Sequence, residues 1–197
     1  MPDSIHELPV GDPSGRHARG GFEYQDHIGA SYCLQMLTNA ALTEVWFESH
    51  DDISLLWQQE GFGPCYEFVQ VKFVDRVWTL GNITGRTNQQ PHTSLLEKSL
   101  ALNKYAEPCT FRLVTSRGAC RELKSLCYPI GSPERLAAQA ELTDAHIVLH
   151  AAYDRKPNPP TTEAIAFWLA NCVWDERESS LSGLEAQNLL DLETVLV

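Results

Sequence analysis

The sequence predicts an α/β domain whose mixed central sheet is built in the order α-β-β-β-α-β and is followed by further helices. A helical apolar spacing comes first, and three short segments rich in strand-forming residues follow it. A second helical pattern separates these segments from a fourth strand. The last third of the chain shows helical patterns alone, so we expect additional C-terminal helices.

The first predicted helix covers residues 21–39, where apolar side chains recur at helical spacing. One face of this helix carries Gln25, Ile28, Gly29, Tyr32 and Met36. Gln25 is therefore a polar residue on a face that should turn towards the core. Residues 1–19 contain several prolines and glycines, which break regular structure, so we expect them to form a flexible leader.

Three strands are predicted next, and their closeness in sequence favours an antiparallel meander. They cover residues 43–47, 53–57 and 66–73, with a turn at residues 61–64 between the last two. A polar, flexible loop at residues 81–92 and a helix at residues 94–105 lead to a fourth strand at residues 111–115. Because that strand follows a helix, a right-handed crossover should place it parallel to a neighbour.

The C-terminal part is predicted to be helical, at residues 133–142, 162–174 and 183–195. We therefore expect one domain over residues 20–197, with its core in residues 20–120 and a helical part in residues 130–197. The sequence ends inside an apolar helical pattern, which favours a fragment of a longer multidomain protein.

The composition restricts the class of protein. A net charge of −11 counts against binding nucleic acid through overall charge, but not against an enzyme whose carboxylates hold a metal ion. The six cysteines form no CxxC pair, so we expect thiols rather than a zinc site. The apolar runs are too short to cross a bilayer and the N-terminus lacks a secretory pattern, so we expect a cytoplasmic protein without a membrane partner.

Three polar residues of the predicted strands are expected to meet. Period-two alternation puts Gln70 and Lys72 on one face of the third strand. Asp52 directly precedes the second strand, and antiparallel pairing of the two strands brings it close to Lys72. A plainer interpretation is that the Lys–Gln pair lies on a solvated sheet face and that Asp51 and Asp52 only form a turn.

A carboxylate, an amide oxygen and a lysine at one sheet edge suit metal-dependent hydrolysis of a phosphodiester. Asp52, the side-chain carbonyl of Gln70 and the backbone carbonyl of Val71 are candidate oxygen ligands for Mg²⁺ or Mn²⁺. The ion would lower the pKa of a bound water and stabilise negative charge on the phosphate. Lys72 would orient that water or stabilise the developing charge.

These residues belong to an ordered set of motifs. The chain contains GGFEYQ at residues 20–25, Asp51-Asp52 before an apolar strand, and then Gln70-Val71-Lys72. In this order the motifs resemble the PD-(D/E)xK nuclease superfamily, in the Mrr-like variant that has Gln in place of the second acidic residue. Residues 94–100 and 111–118 are also similar to it. Within the superfamily, the chain resembles the bacterial double-strand DNA nuclease domains that serve as effectors in anti-phage defence.

The resemblance implies a restriction-endonuclease-like fold and a metal-dependent endonuclease that cuts double-stranded DNA. It also implies homo-oligomers and a longer host protein with a sensor or NTPase module. Asp52 matches the first acidic ligand of the family, whose first helix often adds another, and Glu23 is the nearest acid for that role. Gln25 lies on the inward face, so we prefer it as a catalytic residue that organises the site. One alternative is an RNA nuclease. The other is an inactive nuclease-like scaffold that binds a protein partner, and the acidic net charge favours this second alternative.

Other candidates have less support. Asp51 adjoins Asp52, but strand alternation should send their side chains to opposite faces. Glu48 ends the first strand, where it is either a second metal ligand or a solvent-facing residue at the end of the strand. Basic side chains are candidates for contact with DNA phosphates, namely Arg16, Arg19, Arg76, Arg86, Lys98, Lys104 and Arg117.

Overall fold

The computed structural model describes residues 14–59 and 61–196. One five-stranded sheet, in the spatial order β1-β2-β3-β4-β5, has helices packed on both faces. The strands are β1 (Leu42–Phe47), β2 (Ile53–Gln59), β3 (Phe62–Lys72), β4 (Cys109–Thr115) and β5 (Cys172–Glu176). The helices are α1 (Ser14–Thr38), α2 (Leu80–Thr84), α3 (Leu95–Ala101), α4 (Pro133–Ala137), α5 (Gln139–Tyr153), α6 (Thr162–Asn171) and α7 (Leu181–Val195).

The strand pairing makes the sheet mixed. β1, β2 and β3 form an antiparallel meander, in which Ile53 stands opposite Val69. After the connection through α2 and α3, β4 runs parallel to β3, and β5 runs parallel to β4. The predicted α/β class, the meander and the parallel fourth strand are confirmed.

The C-terminal part is not wholly helical, so the prediction of helix over residues 172–174 is wrong. α6 ends at Asn171, and the chain continues as β5, which places Trp174 opposite Leu113 of β4. Cys172 and Trp174 are both buried in the core. The spacing of a short apolar run does not distinguish a helix from a strand. These residues form a strand because they pair with the backbone groups at the otherwise open edge of β4.

Several boundaries also differ from the predicted ones. α1 begins at Ser14, so residues 14–19 of the expected leader are helical, and residues 1–13 lie outside the described part of the chain. Residues 62–64 extend β3, and the reversal lies at Gly61, whose positive φ of 81° suits glycine. The expected loop at residues 81–92 contains most of α2, which a capping box at Thr79 begins.

Each face of the sheet has its own apolar core. One core includes Tyr24 and Ile28 of α1, Val69 of β3 and Leu184 of α7. The other core includes Phe68 of β3, packed beneath α3, α5 and α6. Side chains alternate along β3, so Gln70 and Lys72 belong to the face of Phe68. Within residues 14–59 and 61–196, no helix has the length and apolar character needed to span a membrane.

Arg86 is buried, so its proposed role as a phosphate contact is wrong. It forms an ion pair with Glu97 of α3, and both side chains are almost inaccessible to water. Its guanidinium also donates to the carbonyls of Pro157 and Asn158, at 2.6 and 3.1 Å. Burial raises the pKa of Glu97, but hydrogen bonds from Arg86 and Ser94 outweigh this effect and lower the pKa to about 2. Arg86 therefore joins α3 to the segment that follows α5.

We expect Glu97→Gln to lower the free energy of unfolding by about 3–5 kcal/mol, because it leaves the charge of Arg86 buried without a counter-charge. Urea denaturation at neutral pH measures the change. Glu141→Gln, at an exposed carboxylate of α5, is the matched control and should change the free energy by less than about 0.5 kcal/mol. A loss below about 1 kcal/mol for Glu97→Gln would contradict a structural role for the pair.

The same ion pair predicts that acid destabilises the fold. The pKa of Glu97 is about 2 in the folded protein, against an ordinary value of 4.5. Because the folded-state pKa is lowered, the ionised Glu97 carboxylate contributes fully to the free energy of unfolding above its ordinary pKa. This contribution is lost as the pH falls towards the folded-state pKa. The stability difference between the wild type and Glu97→Gln should therefore shrink over that range of pH.

Candidate active site

The residues expected to carry the chemistry lie where β2 begins and β3 ends. A turn at residues 48–52 connects β1 to β2, and a backbone hydrogen bond of 3.2 Å from the Glu48 N–H to the Asp52 carbonyl closes it. Glu48 has a positive φ of 52°, a conformation that costs a residue with a side chain roughly 1–2 kcal/mol. Contacts from neighbouring elements must therefore hold this turn in place.

The Asp52 carboxylate bridges the ends of the two strands. Its Oδ2 accepts hydrogen bonds from the Lys72 ammonium and from the Val71 N–H, each at 2.8 Å. Ile53 and Val69 are the last residue pair between β2 and β3. Beyond this pair, the Asp52 carboxylate accepts the hydrogen bond of the Val71 N–H in place of a backbone carbonyl. The structure thus brings Asp52, Val71 and Lys72 together, as expected from the hairpin.

Two buried oxygen atoms next to this ion pair have no hydrogen-bond donor among the described residues. They are Oε1 of Gln70 and Oδ2 of Asp51. Burial raises the pKa of Asp51 to about 7, although a hydrogen bond from the Asp52 N–H opposes the shift. The charge of Asp52 also raises this pKa, while the charge of Lys72 and the polar side chain of Gln70 lower it, so Gln70 lies beside Asp51. Unpaired buried oxygens are costly, and a cation between them would offset that cost.

Asp51 and Asp52 do not alternate as strand residues, so the prediction that they face opposite sides of the sheet is wrong. β2 begins at Ile53, and both aspartates belong to the turn before it. Asp52 turns to Lys72, whereas Asp51 turns into the buried region beside Gln70. The site therefore contains two carboxylates rather than one.

Gln25 holds the turn from α1. Its Nε2 donates to Oε1 of Glu48 at 2.8 Å and to the Asp52 carbonyl at 3.3 Å. α1 approaches β1 this closely because Gly29 faces Phe47, where an added Cβ would lie 2.0 Å from the ring. Gln25 therefore connects α1 to the turn that carries Asp52, and the Glu48 carboxylate accepts one of its hydrogen bonds.

The remaining candidates lie apart from this cluster. The Glu23 carboxylate pairs with Arg19 at 2.8 Å on the exposed side of α1, so both side chains are engaged there. The side chain of Arg16 lies outside the described residues. Arg76 and Arg117 are exposed just beyond the ends of β3 and β4. Because these two strands are parallel, both arginines follow the sheet edge at which Lys72 lies.

Ser116 joins the two loops that carry these arginines. Its Oγ accepts a hydrogen bond from the Val74 N–H and donates one to the Val74 carbonyl, both at 2.8 Å. No local signal in the sequence indicates a hydrogen bond between Ser116 and the loop after β3. This contact places Arg76 and Arg117 on connected loops.

Solved structures share this fold. A Moraxella osloensis Cap4 SAVED/CARF-domain containing receptor aligns at a TM-score of 0.56 and 16% identity, over 91% of this chain and 38% of the receptor chain. An Acinetobacter baumannii Cap4 SAVED/CARF-domain containing receptor with the cyclic trinucleotide 3'3'3'-cAAA aligns at a TM-score of 0.57 and 13% identity, over 89% and 35%. The chain therefore spans little more than a third of these receptors. A search of curated proteins finds no match.

Comparison with protein families confirms the prediction of a double-stranded DNA endonuclease domain. The family described as Cap4, dsDNA endonuclease domain, matches residues 13–144. The matched stretch is more than half of the chain and includes Asp51, Asp52, Gln70 and Lys72. The chain belongs to the family of Cap4 double-stranded DNA endonuclease domains.

Proposed function

We propose that this domain cuts phosphodiester bonds within double-stranded DNA in a reaction that depends on Mg²⁺ or Mn²⁺. The observation that carries the proposal is the pair of buried, donor-less oxygens of Gln70 and Asp51 beside the Asp52–Lys72 ion pair. Hard divalent cations bind oxygen atoms of this kind. The family of the chain supports duplex DNA as the substrate.

The residues present fit a site built from mixed oxygen donors. Among residues 14–59 and 61–196, no three His, Cys, Asp or Glu side chains form a metal-ligating group, so amide or backbone oxygens are needed. Asp52 and the side-chain carbonyl of Gln70 would bind the cation, with Asp51 as a second carboxylate. The N–H and C=O of one residue face the same edge of a strand, so the Val71 carbonyl is also available. The cation would supply a Lewis acid and a water of lowered pKa.

Lys72 would act on the phosphate and on the attacking water. Its ammonium repels a metal cation, and 37% of its side chain is accessible, so a substrate can reach it. The bond to Asp52 fixes the direction of the ammonium. A donor held in this way stabilises the charge that develops in the transition state. Gln25 keeps the turn in place and acts through Asp52.

The sheet edge that carries the site also carries basic side chains that would contact DNA phosphates. Arg76 and Arg117 are exposed there, and Ser116 connects their loops. The net charge of −11 opposes DNA at long range, so local contacts must outweigh it. Homo-oligomers would add several weak contacts with one duplex, and we propose that the active form is oligomeric.

The aligned Cap4 receptors support a biological setting for the domain. Both contain SAVED/CARF domains, and one of them holds a cyclic trinucleotide. We propose that this domain is the effector of a cytoplasmic anti-phage protein. A receptor domain of that kind, rather than an NTPase module, would control it.

Cleavage of supercoiled plasmid should stop in excess EDTA and return with added Mg²⁺ or Mn²⁺, because the site offers oxygen ligands. Matched duplex DNA, single-stranded DNA and RNA should be compared in the same assay, and duplex DNA should be cut fastest. Undiminished cutting in EDTA would exclude the metal mechanism. Faster cutting of RNA would favour a ribonuclease instead.

Lys72→Ala should lower the cleavage rate about a hundred- to a thousandfold while the protein stays folded, because a partly exposed lysine contributes little packing. Lys72→Arg should also fail, since a planar guanidinium does not replace a compact ammonium. Asp52→Ala should lose activity through loss of the metal. Plasmid cleavage and thermal melting are measured on the same preparations.

The matched control is Lys124→Ala, at an exposed lysine outside the site, which should keep full activity. Full activity in a well-folded Lys72→Ala protein would contradict the assignment. In that case, a nuclease-like scaffold without catalysis would describe this chain better.

A further inference from the structure

A pocket of aromatic side chains lies on the face of β3 that carries Gln70 and Lys72. It has a volume of about 150 Å³ and is lined by Trp46, His50, Tyr66, Phe68, Tyr105 and Glu107. Phe68 is buried and forms the floor, whereas Trp46 is 37% exposed. A space of this size suits one planar ring rather than a whole nucleotide.

Contacts between the rings give the pocket a defined shape. The rings of Tyr66 and Phe68 stack with centroids 6.3 Å apart and planes within 12° of each other. Tyr105 and His50 share a hydrogen bond of 3.1 Å between the hydroxyl and Nδ1. The indole of Trp46 lies 6.1 Å from the Tyr66 ring. These contacts hold the rings of the pocket in a defined arrangement.

The pocket adjoins the reaction centre through two separate elements. Phe68 lies two residues before Gln70 on the same strand face, a spacing of roughly 7 Å along the strand. His50 belongs to the turn that also carries Asp52. A DNA strand whose phosphate contacts Lys72 therefore passes within reach of the pocket.

We propose that the pocket accepts one unstacked base of the DNA substrate during cleavage, an inference that rests on the proposed function. Aromatic rings bind the faces of bases by stacking, and enzymes accommodate extruded bases in pockets of this kind. The exposed Glu107 carboxylate at the rim would accept hydrogen bonds from base amino or imino groups. Lys104, whose ammonium lies 5.4 Å from the centroid of the Tyr105 ring, would contact the phosphate of that nucleotide.

The test uses end-labelled 30-base-pair duplexes that each contain one abasic residue at a different position. Cleavage by the wild type with Mg²⁺ is measured at every phosphodiester. We expect an abasic residue at one fixed offset from a phosphodiester to slow cutting of that bond about tenfold, because a stacked base is missing from the pocket. Trp46→Ala should cut the intact duplex about tenfold more slowly and should lose the offset effect.

Two further variants separate base binding from folding. Tyr128→Ala removes an aromatic side chain that is 42% exposed outside the pocket, and it should behave as the wild type does. Glu107→Gln changes only an exposed side chain, and it should alter which bases occur at the fixed offset among mapped cut sites. An unchanged base pattern in Glu107→Gln would count against its assigned contact.

The outcomes distinguish this inference from the proposed function. If the wild type cuts intact duplexes but is insensitive to abasic residues at every offset, the base pocket is overturned and the nuclease assignment stands. If the wild type, with Mg²⁺ or Mn²⁺, cuts no duplex at all, both are overturned. An offset effect that persists unchanged in folded Trp46→Ala would also overturn the pocket.

Discussion

The turn between β1 and β2 is the constraint on which the site depends. Its reversal includes Glu48 in a conformation that its own backbone does not favour, so neighbouring elements have to hold it. Gln25 binds it from α1, while Val71 and Lys72 bind it from β3. The turn is therefore held both by a helix and by a strand of the sheet. Both the packing of α1 and the pairing of β2 with β3 therefore contribute to the position of Asp52.

The sheet edge combines opposite electrostatic features within a strongly acidic chain. Buried oxygens collect where β2 begins, and exposed arginines lie on the loops that follow β3 and β4. Ser116 connects those loops through its hydrogen bonds to Val74, so both arginines belong to connected loops at this edge. Under the proposed function, these arginines would contact phosphates locally, although the net charge of −11 repels DNA at a distance.

Much of this fold is predictable from sequence because its periodic signals are local. The inward face of α1, the meander and the pairing of Asp52 with Lys72 all follow from spacing and strand register. β5 is not predictable in this way, because its three apolar residues, Cys172, Val173 and Trp174, form a strand only when an unpaired edge lies beside them. The burial of Arg86 depends on a partner eleven residues away and on carbonyls more than seventy residues away, which no local pattern reveals.

The site shows the same division between local and tertiary information. Alternation placed Gln70 and Lys72 correctly on one face, but it misplaced Asp51, because alternation applies only to residues within a strand. The inward placement of Gln25 follows from helical spacing, whereas its contact with Glu48 depends on how α1 docks. The Ser116 bond and the aromatic pocket arise from segments that meet only in the folded chain.

The binding of a divalent cation by the oxygens of Asp52 and Gln70 is tested most directly in crystals that contain Mn²⁺. Diffraction data collected near the manganese absorption edge locate the ion without assumptions about catalysis. We expect an anomalous peak about 2.1 Å from a carboxylate oxygen of Asp52 and from Oε1 of Gln70. The peak should be absent from crystals of Asp52→Ala. A peak elsewhere, or none at Mn²⁺ concentrations that support cleavage, would contradict the site.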